Sequence, residues 1–249
     1  MPDGSSLSIS NWNVERPLPS QARLMRISNI LESTESDIWF LTETHQDLVP
    51  AASFYSVFSG IPDRTFSEGE RWVSLWSRWP IQDLNYYVTD KSRCVAGLIT
   101  DLPFGSLVLY GTVLPWESDR RTKENGNFVA YKEALEMRKH DLEQIMLEFP
   151  EAQLVLAGDF NQSLVSANYY GSRNKRIALE AFLKELDLTC LTSAEMDPVF
   201  RNSAPNACID HVCLSSKMAD KLKATSSFPK AENLDNFPSD HYLISVELG

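Results

Sequence analysis

This 249-residue chain offers no soft metal site and no disulfide framework. Its four cysteines, Cys94, Cys190, Cys208 and Cys213, show no CxxC spacing, so neither a zinc cluster nor a set of cross-links is indicated. No apolar run has the length needed to span a bilayer, and Met1-Pro2-Asp3-Gly4-Ser5-Ser6 lacks the basic and apolar regions of a signal peptide. The expectation is a soluble, reduced, cytoplasmic protein with no membrane segment. Positive charge is also scarce: 23 Lys and Arg face 34 Asp and Glu, for a formal net charge of −11. That argues against a broad basic track gripping duplex DNA through many phosphates, without excluding nuclease chemistry. Linkers, internal repeats and low-complexity tracts are missing too, and one domain over residues 1–249 is expected.

What is present is enough hydrophobic sequence for a sizeable core, 43% of the chain. Apolar spacing of three and four predicts helices over residues 19–34, with Ser20 as cap, 127–148 and 176–187. Between them lie strand candidates near 7–14, 37–43, 53–58, 71–77, 83–88, 93–100, 106–113, 153–158, 208–214 and 241–248. Strands outnumber helices and several follow in hairpin order, which is wrong for a doubly wound parallel sheet. The pattern fits an α/β (α+β) fold of two packed mixed sheets flanked by helices. Residues 62–70, 116–127 and 162–176 are the expected rim loops of a site.

Five stretches bring acids or amides to a strand terminus. They are Asn11-Trp12-Asn13-Val14-Glu15, Leu41-Thr42-Glu43, Gly158-Asp159-Phe160-Asn161, Ile209-Asp210-His211 and Ser239-Asp240-His241. Strand alternation is expected to send Asn13 with Glu15, and Asp159 with Asn161, the same way. If these ends converge, Glu15, Glu43, Asp159, Asp210 and Asp240 crowd one pocket, at high cost unless a cation neutralises them. Hard oxygen donors without a cysteine cluster select Mg²⁺, Mn²⁺ or Ca²⁺ over zinc. The stretches read as a metal-dependent hydrolase.

In this order, and with Ser77-Arg78-Trp79-Pro80-Ile81 as a sixth match, the stretches resemble the endonuclease/exonuclease/phosphatase superfamily over Ser8 to Leu248. The resemblance implies a DNase I-like four-layer α/β/β/α sandwich and a Mg²⁺ or Mn²⁺ cofactor. It also implies roles: Glu43 and Asp240 as metal carboxylates, Asn13 and Glu15 near metal and phosphate, and Asp159 as the group that activates water. Asn161 would position the phosphate, and Asp210 would orient His241 against it. His211 is expected to point the other way, and His45 to sit in an exposed loop.

The implied partner is a phosphate-ester substrate, nucleic acid first and a small phosphorylated molecule or lipid head group second, turned over by a monomer. A non-catalytic binding module is the third reading. Arg120, Arg121, Arg173 and Arg176 follow catalytic-face strands and are candidates to meet an anionic substrate, with Lys123 and Lys175 beside them. One departure stands out. Where abasic-site endonucleases carry a tyrosine and pancreatic-type deoxyribonucleases a histidine, this chain has Thr112 or Val113, so one phosphate contact is altered.

Overall fold

The computed structural model describes residues 6–17, 22–62, 67–100, 102–103, 105–119, 126–165, 170–203, 207–229 and 237–249. Within them the strands are β1 (Leu7–Asn13), β2 (Ile38–His45), β3 (Tyr55–Phe58), β4 (Glu70–Ser77), β5 (Gln82–Asp83) and β6 (Cys94–Ile99). They continue with β7 (Leu107–Val113), β8 (Gln153–Asp159), β9 (Leu188–Cys190), β10 (Asp210–Ser215), β11 (Leu222–Phe228) and β12 (Leu243–Leu248). Helices are α1 (Ala22–Ser33), α2 (Asn127–Glu148), α3 (Arg173–Glu185), α4 (Pro198–Ser203) and α5 (Ser216–Ala219).

The strands form two mixed six-stranded sheets, ordered β11-β12-β1-β2-β4-β3 and β5-β6-β7-β8-β10-β9. Alternation decides what each face does. Leu7, Ile9, Ile38 and Phe40 of the first sheet meet Leu107, Leu109, Val155, Ala157, Val212 and Leu214 of the second in one buried layer. The opposite face of the first sheet, with Trp12, Trp39, Leu41 and Trp76, is covered by Ile27 and Leu31 of α1. The outer face of the second sheet packs Val108, Tyr110, Leu154 and Leu156 against Tyr131, Leu135 and Leu142 of α2 and Leu179 and Phe182 of α3. The result is helix, sheet, sheet, helix, each layer sealed by apolar side chains worth about 1.5–3 kcal/mol apiece.

The inner-face parity also fixes where polar strand ends emerge. Asn11 and Asn13 continue the Leu7–Ile9 face, Asp159 continues Val155–Ala157, and Asp210 precedes Val212–Leu214 on the same side. Asp159 and Asp210 are register partners in the antiparallel β8–β10 pair. Two elements depart from the sequence expectation. The strand near 83–88 shrinks to two residues because the Asp83 carboxylate accepts from Asn85 N at 2.7 Å, starting a turn. Helix α3 begins at Arg173, capped by Ser172 accepting from Lys175 N, instead of at 176. The expected cap Ser20 falls outside the described residues.

Candidate active site

Gly158 makes the site possible. It has φ 142°, and a Cβ there would sit 1.9 Å from the Thr112 carbonyl oxygen on parallel strand β7. Only glycine allows that approach, which lets β8 end against β7 with Asp159 facing inward. Asn161 N then donates to Asp159 Oδ1 at 2.9 Å, and its amide Nδ2 donates to the Leu114 carbonyl at 3.0 Å. The first bond holds the carboxylate, and the second holds the turn. From the first sheet, Asn13 Nδ2 donates to Asp159 Oδ2 at 3.1 Å and to Glu43 Oε1 at 3.3 Å, joining the sheets. Behind it, Asn11 Nδ2 donates to the carbonyls of Gly158 and His211 at 3.0 and 3.2 Å. Ser239 Oγ donates to the Asn13 carbonyl at 2.7 Å and accepts from His241 N at 3.1 Å. Asp210 Oδ2 lies 2.6 Å from His241 Nδ1.

Ligand atoms of Asp159, Asp210 and His241 all lie within 4.8 Å of one another. Electrostatics record the crowding. Burial, then the charges of Asp210 and Glu43, push the Asp159 carboxyl up to about 7 against the opposing pull of His241. Burial would lower the His241 imidazole, but the charge and hydrogen bond of Asp210, with Asp159 and Asp240, hold it up at about 10. The surrounding carboxylates thus favour the imidazolium form of His241. The backbone is strained here too. Glu15, Arg16, Glu43 and Asn161 all have φ near 50°, four of the six such non-glycine residues among those described. Each costs on the order of 1–3 kcal/mol, and such residues gather at functional sites.

Asn13, Glu43, Asp159, Asn161, Asp210 and His241 are brought together. Other candidates lie elsewhere. Alternation stops at Asn13: Glu15 turns in a left-handed conformation to meet Arg23 at 3.0 Å, so it does not share the Asn13 face as expected. Asn161 likewise leaves the Asp159 face, because its left-handed turn directs its amide to Leu114. Asp240 is 75% exposed at the rim, 3.7 Å from His241 Nε2. Thr112 is buried on the helix-facing side of β7, its hydroxyl accepting from Arg138 Nε at 3.2 Å. Arg173 is exposed at the start of α3. Arg176 is folded back, Nη1 donating to the Val165 carbonyl at 2.8 Å. Lys175 is buried, with Nζ 5.0 Å from the Tyr131 ring centre. Arg120 and Arg121 fall outside the described residues. His45 is not a loop residue: it ends β2, buried, with Nε2 2.8 Å from the Glu68 carbonyl. His211 faces the helix side, bonded to Thr192 Oγ1 and the Gln162 carbonyl at 2.9 Å each. Sequence reasoning passed over Arg16, whose Nε is 2.7 Å from Glu43 Oε2; its position directly after Glu15 was the available signal.

Two six-stranded sheets flanked by helices, with this acidic–histidine site at the strand ends, define a DNase I-like protein. The Endonuclease/Exonuclease/phosphatase family matches residues 10–241, and the chain belongs to that family. It is a phosphoester hydrolase by family. No curated protein sequence matches it significantly. Among solved structures, an AP endonuclease from Archaeoglobus fulgidus is similar with TM-score 0.67 and 19% identity, over 96% of this chain and 98% of that one. The 3' phosphatase NExo from Neisseria, bound to a product DNA hairpin, gives 0.62 and 20% over 98% and 99%. The endonuclease domain of the telomere-specific non-LTR retrotransposon TRAS1 gives 0.65 and 15% over 98% of each chain. At these identities the likeness is one of fold.

Proposed function

We propose that this protein is a divalent-metal-dependent phosphodiesterase acting on nucleic acid. The observation that carries the reading is the convergence of Asp159, Asp210 and His241 within 4.8 Å beside an asparagine that ties Asp159 to Glu43. The donors suit Mg²⁺ or Mn²⁺: they are carboxylate and amide oxygens, and the buried Asp210 Oδ1 has no hydrogen-bond partner, an orphan that a cation would satisfy. Glu43, Asp240, the Asn13 side-chain amide oxygen and the orphaned Asp210 Oδ1, with Glu15 in an outer role, would hold the ion. When bound, it supplies charge neutralisation for the phosphate and the leaving oxygen.

The remaining chemistry belongs to the chain. Asp159, held by the Asn161 backbone and the Asn13 amide, accepts the proton of the attacking water; a carboxyl raised to about 7 is a stronger base than an exposed one. His241, oriented through Nδ1 by Asp210, presents its charged Nε2–H to a non-bridging phosphate oxygen. Asn161 orients the Asp159 carboxylate through its turn, its own amide being tied to the Leu114 carbonyl. Family membership and the DNA-bound Neisseria 3' phosphatase support nucleic acid as the substrate class. The net charge of −11 favours a second reading, a short flexible nucleic acid or small phosphorylated molecule over long duplex.

Single-stranded and duplex DNA, RNA, nucleotides and inositol phosphates, each assayed with Mg²⁺, Mn²⁺ and chelator, test both. Metal-dependent cleavage of a nucleic acid is the expected result. Undiminished turnover in chelator overturns the metal reading, and preference for a nucleotide or inositol phosphate moves the substrate to the second class.

A further inference from the structure

Arg16 follows the acidic stretch Asn11–Glu15 and takes no part in the chemistry above. Its backbone N–H donates to the Glu43 carbonyl at 2.6 Å. Its side-chain Nε stands 2.7 Å from Glu43 Oε2, while the other Glu43 oxygen accepts from Asn13 at 3.3 Å. Its guanidinium carbon lies 6.0 Å from the ring centre of Trp72, a core residue with 1% exposure. Both Arg16 and Glu43 are in left-handed backbone conformations, at φ 50° and 48°. An ordinary surface ion pair is worth little and asks for no such strain.

Two facts of electrostatics bear on this arrangement. A guanidinium and a divalent ion on one carboxylate repel each other, so an ion reaching Glu43 must displace the arginine or bind weakly. The displaced side chain cannot travel far, because its backbone stays bonded to Glu43. It stays within reach of Glu43, and its planar fork matches a phosphate.

We infer that Arg16 is a built-in counter-cation of the metal site, exchanged from Glu43 onto the substrate phosphate when the ion binds. This rests on the proposed metal-dependent reading and adds a specificity-determining residue to it. Removing the charge removes a competitor for Glu43 and, during turnover, a ligand for phosphate. The two effects have opposite signs, which a merely structural arginine would not produce.

The test titrates Mn²⁺ alone into chelator-stripped protein by calorimetry, and measures steady-state hydrolysis of bis(p-nitrophenyl) phosphate. Arg16→Gln is expected to bind Mn²⁺ about tenfold more tightly than the wild type while its KM rises severalfold. Arg16→Lys keeps the charge without the fork, so it should hold Mn²⁺ affinity within about twofold and still raise KM. If the wild type binds Mn²⁺ and turns over but Arg16→Gln binds no more tightly, the inference fails and the metal reading stands. If the wild type binds no Mn²⁺ and hydrolyses in chelator, both fail. Should Arg16→Gln not fold, Arg16→Lys with an unchanged KM overturns the inference.

Discussion

On the helix-facing side of the second sheet, Arg138 meets Asp90 at 3.1 Å, and Asp141 accepts from the Tyr110 hydroxyl at 2.7 Å and from Thr89. On the inner side of the same sheet, Asp159 and Asp210 confront each other across a strand pair, with Asp159 pushed up to about 7. Both places bury charge near the end of β7. In the first, opposite signs and neutral donors are matched, and the cluster locks α2 to the loop before β6. In the second, negative charge is in surplus and the conformation carries strain. Matched burial serves the fold, while surplus burial is what the proposed cation would neutralise.

The comparison breaks most sharply if activity and stability do not separate. Asp159→Asn and His241→Ala should each lower kcat by about 10²–10⁴-fold in a metal-supplemented assay. Asp159→Asn should also raise Tm in the absence of metal, since it removes one of two facing acids; a fall in Tm would place Asp159 with the structural cluster. Arg138→Met should do the reverse, costing about 3–5 kcal/mol in denaturant unfolding by leaving Asp90 without its buried partner, with kcat of the folded fraction little changed.

pH sharpens the contrast at the next scale. The Asp159 carboxyl is raised from 3.8 to about 7 in the folded protein, so folding favours its protonated form. That contribution to stability is fully present below the unfolded carboxyl value and is lost as pH climbs through about 7. On the proposed reading, a cation beside Asp159 favours its carboxylate form, so Mn²⁺ affinity should fall as pH drops below about 7 and level off above it. Calorimetry in buffers of different ionisation enthalpy would detect the released proton; a pH-independent affinity with no proton release would contradict this. The smallest effect is at the rim. Arg173→Glu should raise KM by a few-fold at low salt with kcat nearly constant, as for an exposed charge that binds ground and transition states alike. Loss of kcat there would mean that Arg173 reaches the reacting phosphate.

Much of this was legible in the linear pattern. Apolar runs such as Leu154–Ala157 and Ile38–Leu41 can only be buried strands, and the acids that follow them had to emerge at their ends. The edge strand β11 was not legible, because Leu222–Phe228 alternates among half-buried and exposed residues and carries too little apolar signal. Strand β9, three residues long, is too short for any period. His45 was misplaced because the loop around Gly69 folds over it, a long-range event that no local window records.

The sequence by itself determined the layers, the two faces of each strand and the five polar ends that meet, since these follow from chain periodicity and the cost of exposing apolar surface. Tertiary structure alone decided how those ends divide the work. Left-handed turns at Glu15, Glu43 and Asn161 override strand alternation, sending Glu15 out to Arg23, bringing Glu43 to the Asn13 amide and Arg16, and turning Asn161 onto Leu114. Such turns are held by bonds to residues far along the chain, and that is why a strand pattern could not place them.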